Sequence, residues 1–179
     1  FDVAQATLLV DASPSRDIEF TVDYYANPDD DTEQRLAESV ASALRAVGLL
    51  ATARSHDPAD YGLRAARNEL GLFRFGSVST TLTAEADIGA MFHTAGRDNL
   101  TGTSIARFDE LIAGARNEPN PVVRASIYES AETLLFAEAV VLPLVEFRHS
   151  LAFGPTLVSA GLEPDGSLDL SAMEFAPAE

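Results

Sequence analysis

The stretch DIEFTVDYY at 17–25 decides how this chain folds. Ile18, Phe20, Val22 and Tyr24 fall on one side of an extended backbone, and Asp17, Glu19, Thr21 and Asp23 fall on the other. Successive side chains of a strand point to opposite faces, so this period of two predicts a half-buried β-strand. Beyond Asn27-Pro28 the period changes. Three aspartates open a helix, with Asp31 as its cap and Gln34 completing a capping box. Leu36, Val40, Leu44 and Val47 recur at helical spacing, and Gly48 closes the helix. A second strand follows at Leu49 to Arg54. Asp57-Pro58, a capping residue before a first-turn proline, starts a helix toward Asn68. Leu70 to Phe75 reads as a third strand.

Working outward, Ala4, Ala6, Leu8 and Leu9 give a short helical opening that breaks near Ser13-Pro14. Ala84 to Thr94 predicts a short helix burying Ile88, Met91 and Phe92. A polar loop with Asn99 and Gly102 leads to Ser104, placed to cap a helix through Ala115. Asn120-Pro121 repeats the cap-plus-proline signal for a helix burying Val123, Ile127, Leu134 and Leu135. Ala139 to Phe147 reads as a strand in which Pro143 marks an edge, a bulge or a crossing point. Pro164-Asp165-Gly166 is a turn in a tail of short segments. Strands alternate with helices, which predicts an α/β domain with a mixed β-sheet flanked by helices.

A length of 179 residues favours a single domain, and 46% hydrophobic with 22% charged residues is ordinary for a globular chain. Twenty-eight acidic against 12 basic residues give a formal charge of −16. That field repels phosphate backbones, and no basic stripe opposes it, so nucleic acid is a poor partner. The absence of cysteine excludes disulfides and thiolate chemistry. No run of 18 apolar residues spans a membrane. The chain starts at Phe1 rather than Met and is helical almost at once, as a piece of a longer polypeptide would be.

Several of these pieces occur together in one known family. DIEFTVDYY, AESVASALRAVGLLATA, NLTGTSIARFDELIAGAR and RASIYESAETLLFAEAVVLPLVEF, in this order, resemble the C-terminal half of peptide/nickel-type solute-binding proteins. These family 5 proteins are the extracytoplasmic receptors of dipeptide and oligopeptide ABC importers. The resemblance runs over nearly the whole chain and rests on order and spacing rather than on one motif. It implies that 1–179 is a single C-terminal lobe of a two-lobed receptor, with a type II periplasmic-binding-protein fold. It also implies an N-terminal lobe and an ABC permease as partners, a peptide or related solute as ligand, and a periplasmic or lipid-anchored location. No cofactor and no catalysis are implied. A solute-sensing lobe of a regulatory protein is the alternative.

The loop 76–81 follows the third strand, and its small hydroxyl residues suit either a cleft lining or a solvated turn. With the resemblance, Gly76, Ser77, Ser79, Thr80 and Thr81 become the expected ligand-binding residues. Peptide-binding relatives carry a Trp and then an Asp here, and the Asp pairs with the peptide's amino group. Ser77 and Thr80 stand at those positions, and a hydroxyl is a weaker partner for an ammonium than a carboxylate is. A sugar, an amidated compound or another neutral solute therefore competes with free peptide.

Competing chemistry finds little support. Asp29-Asp30-Asp31 suits a helix start better than a calcium loop. His56, His93 and His149 lie far apart, and Asp60, four residues after His56, reads as helix-start charge. Ser77 and Ser79 lack a G-x-S-x-G elbow, and there is no P-loop or G-x-G-x-x-G. Tyr24 and Tyr25 either finish the core or line a pocket, with core favoured.

Overall fold

The computed structural model describes residues 2–74, 83–145, 151–163 and 167–176. The chain divides into two compact units, 1–76 and 77–179. In the first, α1 (Val3–Ala12) precedes an alternation of β1 (Glu19–Tyr25), α2 (Thr32–Ala46), β2 (Leu50–His56), α3 (Pro58–Ala66) and β3 (Leu72–Phe73). The strands form a parallel sheet in the order β2-β1-β3, with Glu19 opposite Leu50, Tyr25 opposite His56, and Val22 opposite Leu72. The chain moves from β1 to β2 through α2, then crosses back past β1 through α3. Right-handed crossovers in opposite directions put the two helices on opposite faces of the sheet.

That topology explains the burial. On the α2 face, Val22 and Ala51 pack against Ala37 and Ala41, with Phe20, Tyr24, Val40, Leu44 and Ala53 around them. On the α3 face, Tyr61 and Ala65 are buried, and so is Asp23, 1% exposed. The polar side of β1 is thus covered at Asp23, because a helix closes over it. Central strands of parallel sheets are buried on both faces.

Local signals are partly confirmed. Asp57 caps α3 by accepting from Ala59 N at 2.9 Å. Asn120 caps α6 (Pro121–Ala137) by accepting from the N–H groups of Val122 and Val123. Gly48, just past α2, has φ of 97°, the left-handed conformation a helix-ending glycine supplies. The capping box at α2 does not form. Asp31 has φ −85° and ψ 5° and makes no side-chain cap. Asp30 Oδ1 instead takes the Thr32 N–H at 2.9 Å and its hydroxyl at 2.6 Å, while Gln34 turns to Glu38. β3 is shorter than expected among the described residues. Its lead-in, Gly71, lies so close to β1 that a Cβ there would sit 2.5 Å from the Thr21 carbonyl oxygen.

The second unit is mostly helical. The helix expected at 84–94 begins as a π-helical turn, Glu85–Gly89, and continues as α4 (Ala90–Phe92). With α5 (Ala106–Asn117) and α6 it encloses Phe92, Phe108, Ile112, Ala131 and Leu135. Ile88, Met91 and Leu134 are partly buried against this core. Val123, expected inside, is exposed. Ile105 rather than Ser104 occupies the cap position of α5, and Ser104 accepts from the Thr94 hydroxyl at 3.2 Å. Residues 139–145 hold no strand, and 146–147 lie outside the described residues. β4 (Leu157–Leu162) and β5 (Leu168–Phe175) form a separate antiparallel pair with two register shifts. The turn 164–166 between them lies outside the described residues. The α/β class is as expected, with parallel and antiparallel pairing divided between two sheets among the described residues.

Candidate ligand face

In open α/β sheets ligands bind beyond the carboxyl ends of the strands. In the first unit that edge is marked by Tyr24 and Tyr25, Ser55 and His56, and Arg74 just past β3. An open depression of about 610 Å³ lies there, bounded by Tyr24, Ala26, Asn27, Gln34, Ser55 and the three aspartates 29–31. Those aspartates do not gather into a cation cage; no group of three His, Asp or Glu suited to a metal occurs among the described residues.

A polar cluster lies under this edge. The Asp23 carboxylate receives four donors: Arg54 Nε at 2.6 Å, His56 Nε2 at 2.7 Å, Thr21 Oγ1 at 2.7 Å and Gly71 N at 2.7 Å. Burial pushes its pKa up, but the bonds from Arg54, His56, Thr21 and Gly71 outweigh that and hold it at about 2. Asp23 is therefore an anion at any ordinary pH, and the contacting His56 nitrogen carries the proton. The carboxylate ties β1 to β2 and to the start of β3. His56, weighed as a metal ligand, serves this bond, and Asp60 pairs with Arg64 at 2.6 Å.

The second layer is Glu33, Arg74, Tyr25 and Tyr61. Glu33, in the first turn of α2, holds the Arg74 guanidinium at 2.5 Å through Oε1, which also accepts from the Tyr25 hydroxyl at 3.4 Å. Glu33 Oε2 is buried without a hydrogen-bond partner among the described residues. Tyr61 donates to the Arg74 carbonyl at 2.6 Å, and its ring meets Tyr25 edge-on at 5.7 Å. Burial, then the charges of Asp23 and Glu33, push the Tyr61 pKa up, so its hydroxyl stays a donor. Tyr24 packs against the core, as favoured, and also borders the depression, while Tyr25 joins this polar cluster.

The predicted ligand-binding residues, Gly76, Ser77, Ser79, Thr80 and Thr81, lie outside the described residues, as does His149. No linear pattern singles out Glu33, Tyr61 or Arg74. They are 41 positions apart at most, and only the sheet order brings α2, α3 and the end of β3 together. In the second unit, Glu85 on the π-turn accepts from Arg116 at 2.8 Å and from the Tyr128 hydroxyl at 3.3 Å, joining that turn to α5 and α6.

No family model matches the sequence, and no curated protein matches it. Solved structures do. HbpA2 from Haemophilus parasuis superposes with a TM-score of 0.78 at 19% identity, over 99% of this chain and 36% of that one. Clavulanic acid biosynthesis oligopeptide binding protein 2 gives 0.73 at 22% identity, over 89% and 31%. A dipeptide binding protein from Pseudoalteromonas sp. SM9913, in complex with Met-Leu, gives 0.70 at 16% identity, over 98% and 36%. The fold is therefore that of an α/β lobe of type II periplasmic-binding-protein architecture. The chain spans about a third of the length of these proteins.

Proposed function

We propose that this chain is the C-terminal lobe of an extracytoplasmic solute-binding protein that delivers a peptide or related solute to an ABC permease. The superposition on HbpA2 over 99% of the chain carries this reading. The names of the similar structures, dipeptide and oligopeptide binding proteins, support a peptide or peptide-like ligand and a binding rather than catalytic role. Exposed apolar side chains support an adjoining lobe: Leu8 and Leu9 on α1, and Leu170 and Phe175 on β5, are surface of the kind a contact covers. No helix among the described residues is long and apolar enough to cross a membrane.

In this reading Gly76, Ser77, Ser79, Thr80 and Thr81 contact the ligand. A ligand gripped by two lobes is held fully only in the closed form, so binding draws the population toward closure. One lobe supplies part of the contacts and little affinity. Calorimetry with a dipeptide and tripeptide panel tests this on a polypeptide carrying both lobes and on the 179-residue chain. The expected result is micromolar binding by the two-lobed form and none measurable by this chain alone. Micromolar binding by the lone chain, or none by the two-lobed form, refutes it.

A further inference from the structure

We propose that this fold is conditional on salt: its surplus carboxylates repel one another in dilute buffer, and the chain reaches full stability only at high ionic strength. This holds whichever ligand the chain takes.

All 12 basic residues are arginine and they face 28 acids, so the surplus of negative charge is 16. The cations are also committed locally. Eight of the arginines form ion pairs among the described residues. Arg45 and Arg124 each donate at 2.8 Å to a main-chain carbonyl, of Ala51 and of Glu118.

The surplus acids collect where a helix tolerates them least. Helices α2, α3 and α5 carry Arg45, Arg64 and Arg116 in their last turns, where the negative end of the dipole favours a cation. Helices α1 and α6 carry no base there. Asp11 lies in the last turn of α1 and Glu138 is the C-cap of α6, so both meet the dipole with the wrong sign. Glu129 and Glu132, three positions apart on α6, are like-charged neighbours. All four are exposed. None is in an ion pair among the described residues.

Screening lengths decide when this repulsion counts. A surface charge is felt to about 30 Å in 0.01 M salt, about 8 Å in 0.15 M and about 3 Å in 1 M. In dilute buffer a surplus carboxylate therefore feels many others, whereas 1 M salt screens even neighbours about 5–6 Å apart on one helix. Unfolding separates the charges, so repulsion penalises the compact form and salt relieves it. Salt also weakens the exposed ion pairs, but each is worth little and the surplus acids outnumber them.

Urea unfolding of the 179-residue chain at pH 7, read by circular dichroism in 0.01, 0.15 and 1 M sodium chloride, tests this. The midpoint should rise by about 1 M urea from the lowest salt to the highest. An unchanged or falling midpoint overturns the proposal. The triple variant Glu129→Lys/Glu132→Lys/Glu138→Lys separates charge from the general stabilising action of salt on proteins. Each reversal removes two units of net charge, and repulsion scales with the square of that charge. The variant should start from a higher midpoint in 0.01 M salt and gain at most about half as much as wild type by 1 M. A gain equal to that of wild type overturns the proposal, since exclusion of salt from the surface would then explain it. If this variant loses the native spectrum at every salt, Asp11→Lys/Glu132→Lys/Glu138→Lys replaces it with the same two outcomes.

Discussion

A carboxylate at the centre of a parallel sheet persists as an ion only when its lone pairs are used, and Asp23 meets that condition with four donors from β1, β2 and the lead-in to β3. Its pKa falls from 3.8 to about 2 on folding. With a side chain wholly withdrawn from solvent, that shift corresponds to about 2 kcal/mol of stability. Because the folded value lies below the unfolded one, the contribution is complete above the unfolded pKa and fades as pH falls from about 4 toward about 2. Asp23→Asn should cost about 3 kcal/mol in urea unfolding at neutral pH, since Arg54 and His56 lose their buried counter-charge. It should also flatten the acid limb of stability below pH 4, roughly the unfolded value. A variant matching wild type in both would show the network to be incidental. The period of two in 17–25 correctly says which residues share a face with Asp23. It is silent on whether that face is covered, which depends on where α3 crosses.

Helix starts divide by how far their signals reach. Asp57-Pro58 and Asn120-Pro121 are complete within two residues, since the cap and the fixed φ of proline need nothing from elsewhere. At α2 three aspartates compete, and local backbone geometry gives the bond to Asp30, two residues before the Thr32 N–H it accepts. Asp30→Ala should therefore lower stability more than Asp31→Ala does. Asp31→Ala should cost only a few tenths, the worth of its exposed 3.7 Å pair with Arg35. Equal losses in chemical denaturation would restore Asp31 as the cap. In the second unit, Phe108 and Ile112 of α5 meet Ala131 and Leu135 of α6 with no exposure to solvent above 1%. Phe108→Ala should cost about 3–5 kcal/mol, read from the unfolding of α5 and α6 by hydrogen exchange. Loss of under 1 kcal/mol would mean that the site collapses around the smaller side chain. Of the strand expected at 139–147, residues 139–145 show none, for a reason of the same scale. A run of apolar residues carries β-propensity, but no strand among the described residues pairs with 139–145, and Pro143 cannot donate to one.

The chain matches about a third of the length of longer binding proteins, and the proposed two-lobed receptor carries a prediction at the scale of the assembled protein. Closure on ligand should appear in solution scattering as a smaller radius of gyration for a two-lobed form given a tripeptide. The 179-residue chain under the same conditions should not change. Contraction of the lone chain would place a complete site within it. The charge of −16 acts at this scale too, through the field around the molecule rather than through the fold.

The α/β class, the order of the first unit's elements, two of the helix caps and the apolar face of α2 are legible in the linear pattern. Each rests on contacts or periodicities within a few residues, where chain connectivity does the arranging. The burial of Asp23, its bond to His56, the need for a bare Gly71 and the meeting of Glu33 with Arg74 come from the assembled sheet and helices. Those outcomes depend on the crossover of α3 past β1, which brings together groups up to 48 residues apart. A linear pattern records which residues are polar; folding in three dimensions sets which polar groups share a space from which water is excluded.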